Sequence, residues 1–99
     1  MKVTFRIPGP LLSFTGGRHV VEAETPDGAV LTVADALGQL WRLYPGLRER
    51  VLTEQGQVRP HVNVFVGAES IRDGGGLAMA ITDTCVIAII PAVSGGCNA

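Results

Sequence analysis

Five consecutive apolar residues, Val86-Ile87-Ala88-Ile89-Ile90, set the strongest limit on what this chain can fold into. Four of the five are β-branched and the run is short, so it reads as a strand, not a helix. A strand that is apolar at every position offers neither face to water, which predicts a central place in a sheet. Pro91 then ends the run, and Ala92-Val93-Ser94-Gly95-Gly96 follows. Glycine has no side chain to pack and loses the most backbone entropy on ordering. The central strand of the fold therefore feeds directly into a segment unsuited to any core, and the sequence divides into a domain over residues 1–90 and a tail over 91–99, flexible by expectation.

The other elements follow from periodicity. Residues 2–7 alternate, with Val3, Phe5 and Ile7 on one face, and Pro8-Gly9-Pro10 stops them. Arg18 to Glu24 reads as a second strand pairing back on the first after the Gly16-Gly17 turn, with Val21 and Ala23 inward and Glu22 and Glu24 in water. Thr25 to Gly28 is a loop. The period then changes: Thr32 to Asp35 looks like a helix N-cap with an acid at N3, and Val33, Leu37, Leu40, Trp41 and Tyr44 make one apolar stripe. Pro45-Gly46 stops that helix. Residues 47–59 read as polar and turn-like, with Val51 and Leu52 as core anchors. His61 to Val66 is a third strand and Glu69 to Arg72 a short fourth. Leu77 to Ile81 is an apolar plug, and Thr84 to Ile90 is the last strand. Strand, strand, helix, strand, short strand, strand, with the last one central, describes an α+β fold: a β-grasp mixed sheet with one main helix packed across one face.

Composition narrows the function. At 99 residues the chain can bury ~60–65% of its unfolded surface as one domain. Hydrophobic residues are 46% and charged residues 17%, which argues for a compact core. A net charge of −1 without a basic run makes nucleic acid a poor partner. No apolar run approaches the ~20 residues of a membrane span, there is no secretory signal pattern, and Cys97 lacks the three following residues of a prenylation box. Cys85 and Cys97 form neither a disulfide framework nor a clustered metal site. A reducing cytoplasmic setting is the expectation, with no membrane partner.

The inventory of chemical groups is thin. His19 and His61 lie near loop ends, where an edge or solvent position is the ordinary reading. No nucleophile, base and orienting group can be assembled from spacing. Asp73-Gly74-Gly75-Gly76 lacks the lysine and Ser/Thr of a phosphate loop and reads as a flexible turn. Trp41 and Tyr44 are most simply core residues. Nothing in the residues points to an enzyme, and no metal or other cofactor is expected on the chain itself.

The tail carries the signal. "IIPAVSGG" at 89–96, with "GGLAMAITDT" at 75–84 and "VNVFVGAESIR" at 62–72, resembles the ubiquitin-like sulfur carriers. These include the small subunit of molybdopterin synthase and the carriers of thiamin, cysteine and thiocarboxylate-metabolite biosynthesis. The resemblance covers nearly the whole chain in element order. "GGLAMAI" and "PAVSGG" lean toward the cysteine-forming carriers. It implies that the carboxylate of Gly96 is the working group. A ubiquitin-activating-like adenylating enzyme, holding ATP and magnesium, would adenylate it. A sulfur donor would convert it to a thiocarboxylate, and a sulfur-accepting synthase would take the sulfur. Pro91, Ala92, Val93, Ser94 and Gly95 would be the segment those partners grip. Extended, residues 91–96 reach at most ~20 Å, and the two glycines suit a channel too narrow for a Cβ.

The sequence departs from the family pattern twice. Members often carry Gly-Asp-Glu before the last strand, where this chain has Thr84-Cys85-Val86. Most end at the second glycine, whereas here Cys97-Asn98-Ala99 follows, so Gly96 sits in a peptide bond. The resemblance then implies a precursor, cleaved between Gly96 and Cys97 by a zinc metalloprotease of the JAMM type. An N-to-S acyl shift at Gly96-Cys97 finds no neighbouring base or oxyanion donor. Two other readings stay open: a modifier conjugated to target lysines through Gly96, and a β-grasp interaction module that uses Val86, Ala88 and Ile90.

Overall fold

The computed structural model describes residues 2–25, 31–81 and 85–91. Five strands form the main sheet in the order β2-β1-β7-β4-β5. β1 (Lys2–Arg6) pairs antiparallel with β2 (Val20–Glu24) and parallel with β7 (Cys85–Pro91). On its other side β7 pairs antiparallel with β4 (Val62–Val66), which carries β5 (Glu69–Ser70) at the edge. The last strand is therefore central in a mixed sheet, as its apolar run predicts. Helix α1 (Val33–Leu43) crosses one face, giving the β-grasp architecture.

The alternation in β1 and β2 does what it predicts. Val3, Phe5 and Ile7 are buried, as are Val21 and Ala23, while Glu22 and Glu24 are exposed. From the helix, Val33, Ala36, Leu37 and Leu40 join one core with Val3, Phe5, Ile87 and Ile89. Trp41 and Tyr44 are half-buried at its rim. The helix opens with the anticipated capping box: the Asp35 N–H donates to the Thr32 hydroxyl at 3.1 Å, and the Thr32 N–H donates to the Asp35 carboxylate at 2.9 Å.

Several features depart from the expectations. β7 is central, yet only one of its two apolar faces is buried. Ile87 and Ile89 are buried under the helix, but Val86 and Ile90 are 42% and 47% exposed, because no described element covers the other face. β7 also runs one residue further, with Pro91 in register with Val62. The segment after Pro45 is not merely polar turn. A 3-10 turn (Pro45–Leu47) leads into the short helix α2 (Arg48–Val51), and Leu47 is as fully buried as Val51. His19 and His61 lie just before β2 and β4, not within strands, and both are exposed.

Two small strands complete the fold. β3 (Leu31–Thr32) pairs antiparallel with β6 (Ala80–Ile81), tying the helix start to the apolar plug. The Val33 N–H donates to the Met79 carbonyl at 2.9 Å, extending that tie. The triple glycine is a hydrogen-bonded turn instead of a loose one. Gly75 and Gly76 have φ of 107° and 69°, and the Gly74 and Gly76 N–H groups both donate to the Ile71 carbonyl. The loop expected at Thr25–Gly28 and the residue Thr84 fall mainly outside the described residues.

Candidate functional site at the root of the tail

β7, the central strand, ends at Pro91, after which the tail begins in the sequence. Its last β1 partner is Ala88, opposite Arg6, while on the β4 side pairing continues to Pro91 opposite Val62. Pro91 is half-buried, with its own φ fixed by the ring. Ala92, Val93, Ser94, Gly95, Gly96 and Cys97 lie outside the described residues, as does the expectation that the tail is flexible.

Beside Pro91 is a cleft of about 470 Å³ between the 3-10 turn Gly9–Phe14, helix α2 and the start of β4. Leu11, Phe14, Ile89 and Pro91 give it an apolar lining, and Arg50 and His61 give it polar groups. Each wall is held by the core. Leu11 is buried, and the buried Thr15 hydroxyl donates toward the carbonyls of Arg18 (2.9 Å) and Leu12 (3.2 Å), which fixes the turn carrying Phe14. Gly46 passes close beneath that ring, since a Cβ there would come 3.1 Å from Phe14 Cδ1. Leu47 and Val51 anchor the helix that presents Arg50, whose guanidinium lies 5.0 Å from the centre of the Phe14 ring.

The wall bearing His61 is clamped by a residue that sequence reasoning missed. Arg72 Nη2 donates toward the carbonyls of Val62 (2.7 Å), Arg59 (3.0 Å) and Pro60 (3.3 Å). Arg59 is committed as well, its Nε donating to the Glu49 carbonyl at 2.8 Å. The acceptors are main-chain carbonyls, which no side-chain pattern marks, so neither clamp is legible in the sequence.

The uncovered face of the sheet adjoins this root. Val86, Ala88 and Ile90 run along its centre, with Thr4 and Arg6 beside them on β1 and Asn63 and Phe65 on β4. Of the two histidines, His61 lines the cleft beside Pro91 and His19 does not. Among the described residues, no three His, Cys, Asp or Glu side chains gather into a group that could hold a metal ion. No helix of the described residues is long and apolar enough to cross a membrane. The arrangement can present a tail, seat a partner and hold the two in register.

Comparison with known proteins accords with that geometry. The sequence profile of the ThiS family matches residues 5–96, a span that closes on Gly96. The sulfur carrier protein CysO of Mycobacterium tuberculosis is 37% identical, over 97% of this chain and the whole of that protein. CysO in the crystal structure of the Amycolatopsis orientalis BexX/CysO complex superposes with a TM-score of 0.82 at 33% identity, covering 95% of this chain and 99% of that one. SAMP1 of Haloferax volcanii superposes with a TM-score of 0.80 at 27% identity, covering 97% and 100% of the two chains. With a ubiquitin-like β-grasp domain, a glycine tail issuing from its central strand and a family match over nearly its full length, this chain belongs to the ThiS family of sulfur carriers.

Proposed function

We propose that Gly96 is the sulfur-carrying end of this protein, and that the Gly96–Cys97 bond must be cleaved before it can work. What supports the reading is the position of Gly96: it closes the stretch that matches the family, yet a further residue follows it. A carboxyl group in a peptide bond cannot attack ATP. Hydrolysis by a zinc metalloprotease of the JAMM type would add water across the bond and free the carboxylate. That carboxylate would attack the α-phosphorus of magnesium-bound ATP on an adenylating enzyme, releasing pyrophosphate. A sulfide equivalent from a sulfur donor would then displace AMP and leave a thiocarboxylate. The chain contributes the acyl group and its positioning, and its partners contribute the catalysis, so it acts as a carrier and substrate.

The last acceptor is a synthase that takes the sulfur. The relative solved together with a second protein, BexX, supports such a partner, and the similarity to CysO favours cysteine formation as the destination. The reducing cytoplasm is the setting this implies. Pro91 to Gly95 would thread the partner's channel while the open face around Val86 and Ile90 rests against its surface.

Mass spectrometry tests the reading. Full-length protein given ATP, magnesium and the adenylating enzyme should gain no adenylate, while a variant ending at Gly96 should gain one. With a sulfur donor the shortened variant should gain the mass difference of sulfur for oxygen, and adding the protease should confer the same on full-length protein. If the shortened variant stays inert with an enzyme shown to be its partner, the carrier reading is wrong. An interaction module would, in contrast, be indifferent to removal of residues 94–99, and a protein modifier would appear as lysine adducts.

A further inference from the structure

The cleft at the tail root holds an arginine that no carboxylate among the described residues pairs. Arg59 and Arg72 spend donors on main-chain carbonyls, and Lys2 lies 3.9 Å from Glu22 on the open face. Arg50 makes neither a hydrogen bond nor an ion pair within the described residues. Its side chain is exposed but rests over the ring of Phe14 at 5.0 Å, and the buried Leu47 and Val51 anchor the backbone that presents it. A guanidinium held in this way has lost part of the freedom it would otherwise lose on binding, and its donors are arranged in a fork that suits a carboxylate. His61 adds a second polar group in the same cleft, over an apolar lining that includes Leu11 and Ile89.

Position then identifies the occupant. Pro91 is both a wall of the cleft and the residue from which the tail departs. A protein that threads the tail must bring the mouth of its channel against Pro91, and so over the cleft. We propose that the cleft is a docking socket for a carboxylate-bearing segment, flanked by an apolar side chain, at the mouth of the channel in the enzyme that adenylates Gly96. Arg50 takes the carboxylate, and the apolar side chain packs on Phe14 and Leu11. The socket sets the point from which the tail is measured into the active site. This inference rests on the sulfur-carrier reading.

The test uses proteins ending at Gly96 and the adenylating enzyme from the source organism, with ATP–pyrophosphate exchange measured against carrier concentration. Arg50→Glu should raise KM for the carrier by at least about tenfold, the scale of one lost charge-assisted bond, with kcat changed by less than about twofold. Raising salt should raise KM for wild type and leave Arg50→Ala nearly insensitive. Arg42→Glu makes the same charge change on α1, away from the cleft, and should leave KM within about twofold. Unchanged circular-dichroism melting would show that the exposed Arg50 was replaced without loss of fold. A wild-type KM for Arg50→Glu, or an equal rise with Arg42→Glu, overturns the socket while leaving the carrier reading in place. Failure of wild type ending at Gly96 to be adenylated at all overturns both.

Discussion

Asp35 shows how much a single side chain can settle when its partners are near in sequence. Its carboxylate accepts the backbone N–H of Thr32 and is linked to the Thr32 side chain, and these bonds, the backbone one foremost, hold its pKa below the ordinary value of 3.8. A carboxyl whose pKa is lower in the folded state adds stability above its unfolded pKa and loses it as pH falls through the folded one. The penalty for Asp35→Asn should therefore be full at neutral pH, shrink below about pH 4 and be gone once the folded-state carboxyl is protonated. Urea unfolding of both proteins at neutral pH and near pH 2 checks this, and an equal penalty at both would show that the charge plays no part. Thr32→Ala should cost about 1 kcal/mol at neutral pH by the usual loss of an N-cap. The capping box was legible because all its parts lie within one turn. Arg72 was not, because its acceptors are carbonyls ten to thirteen residues away.

At the scale of elements, β7 and α1 divide the apolar residues into two kinds that sequence cannot separate. Leu40 and Ile90 look equally suited to a core, yet Leu40 is fully buried and Ile90 is half-exposed. Leu40→Ala should cost about 2–5 kcal/mol in chemical denaturation, from lost burial and the cavity left behind. Ile90→Lys should cost under about 1 kcal/mol, and should instead weaken the complex with the adenylating enzyme or the synthase, measured by calorimetric titration. A large stability loss for Ile90→Lys would mean that the open face is needed for folding. The sequence pattern located β1, β2, α1 and β4 by their alternation or period, β7 by its unbroken apolar run, and the short β5 by the segment expected at Glu69 to Arg72. It missed the β3–β6 pair and the burial of Leu47, since strands of two residues and a single apolar residue among charged ones carry no period. Nor does a pattern of apolar residues say what will cover them, which is why a central strand could be foreseen while an open face of Val86, Ala88 and Ile90 stood only as one reading among several.

For the molecule as a whole, the division of labour between domain and tail makes the last prediction. The core residues run from Val3 to Ile89, and the final strand pairs through Pro91, so the described domain completes its packing before the glycines begin. If Gly96 serves only to pass a narrow channel, its replacement should separate function from fold. Gly96→Ala and Gly96→Val, each in a protein ending at residue 96, should melt like wild type. They should lose adenylation in the order of side-chain size, Val more than Ala, because only the channel senses the added Cβ. The loss should fall on kcat more than on KM, since the domain still docks through the open face and the cleft while the carboxylate is held short of ATP. Arg50→Glu should show the opposite split, so the two variants together assign docking to the domain and delivery to the tail. A Gly96→Val protein that is adenylated as fast as wild type would remove the channel from the mechanism. It would then leave the glycines without the role that their place after the central strand gives them.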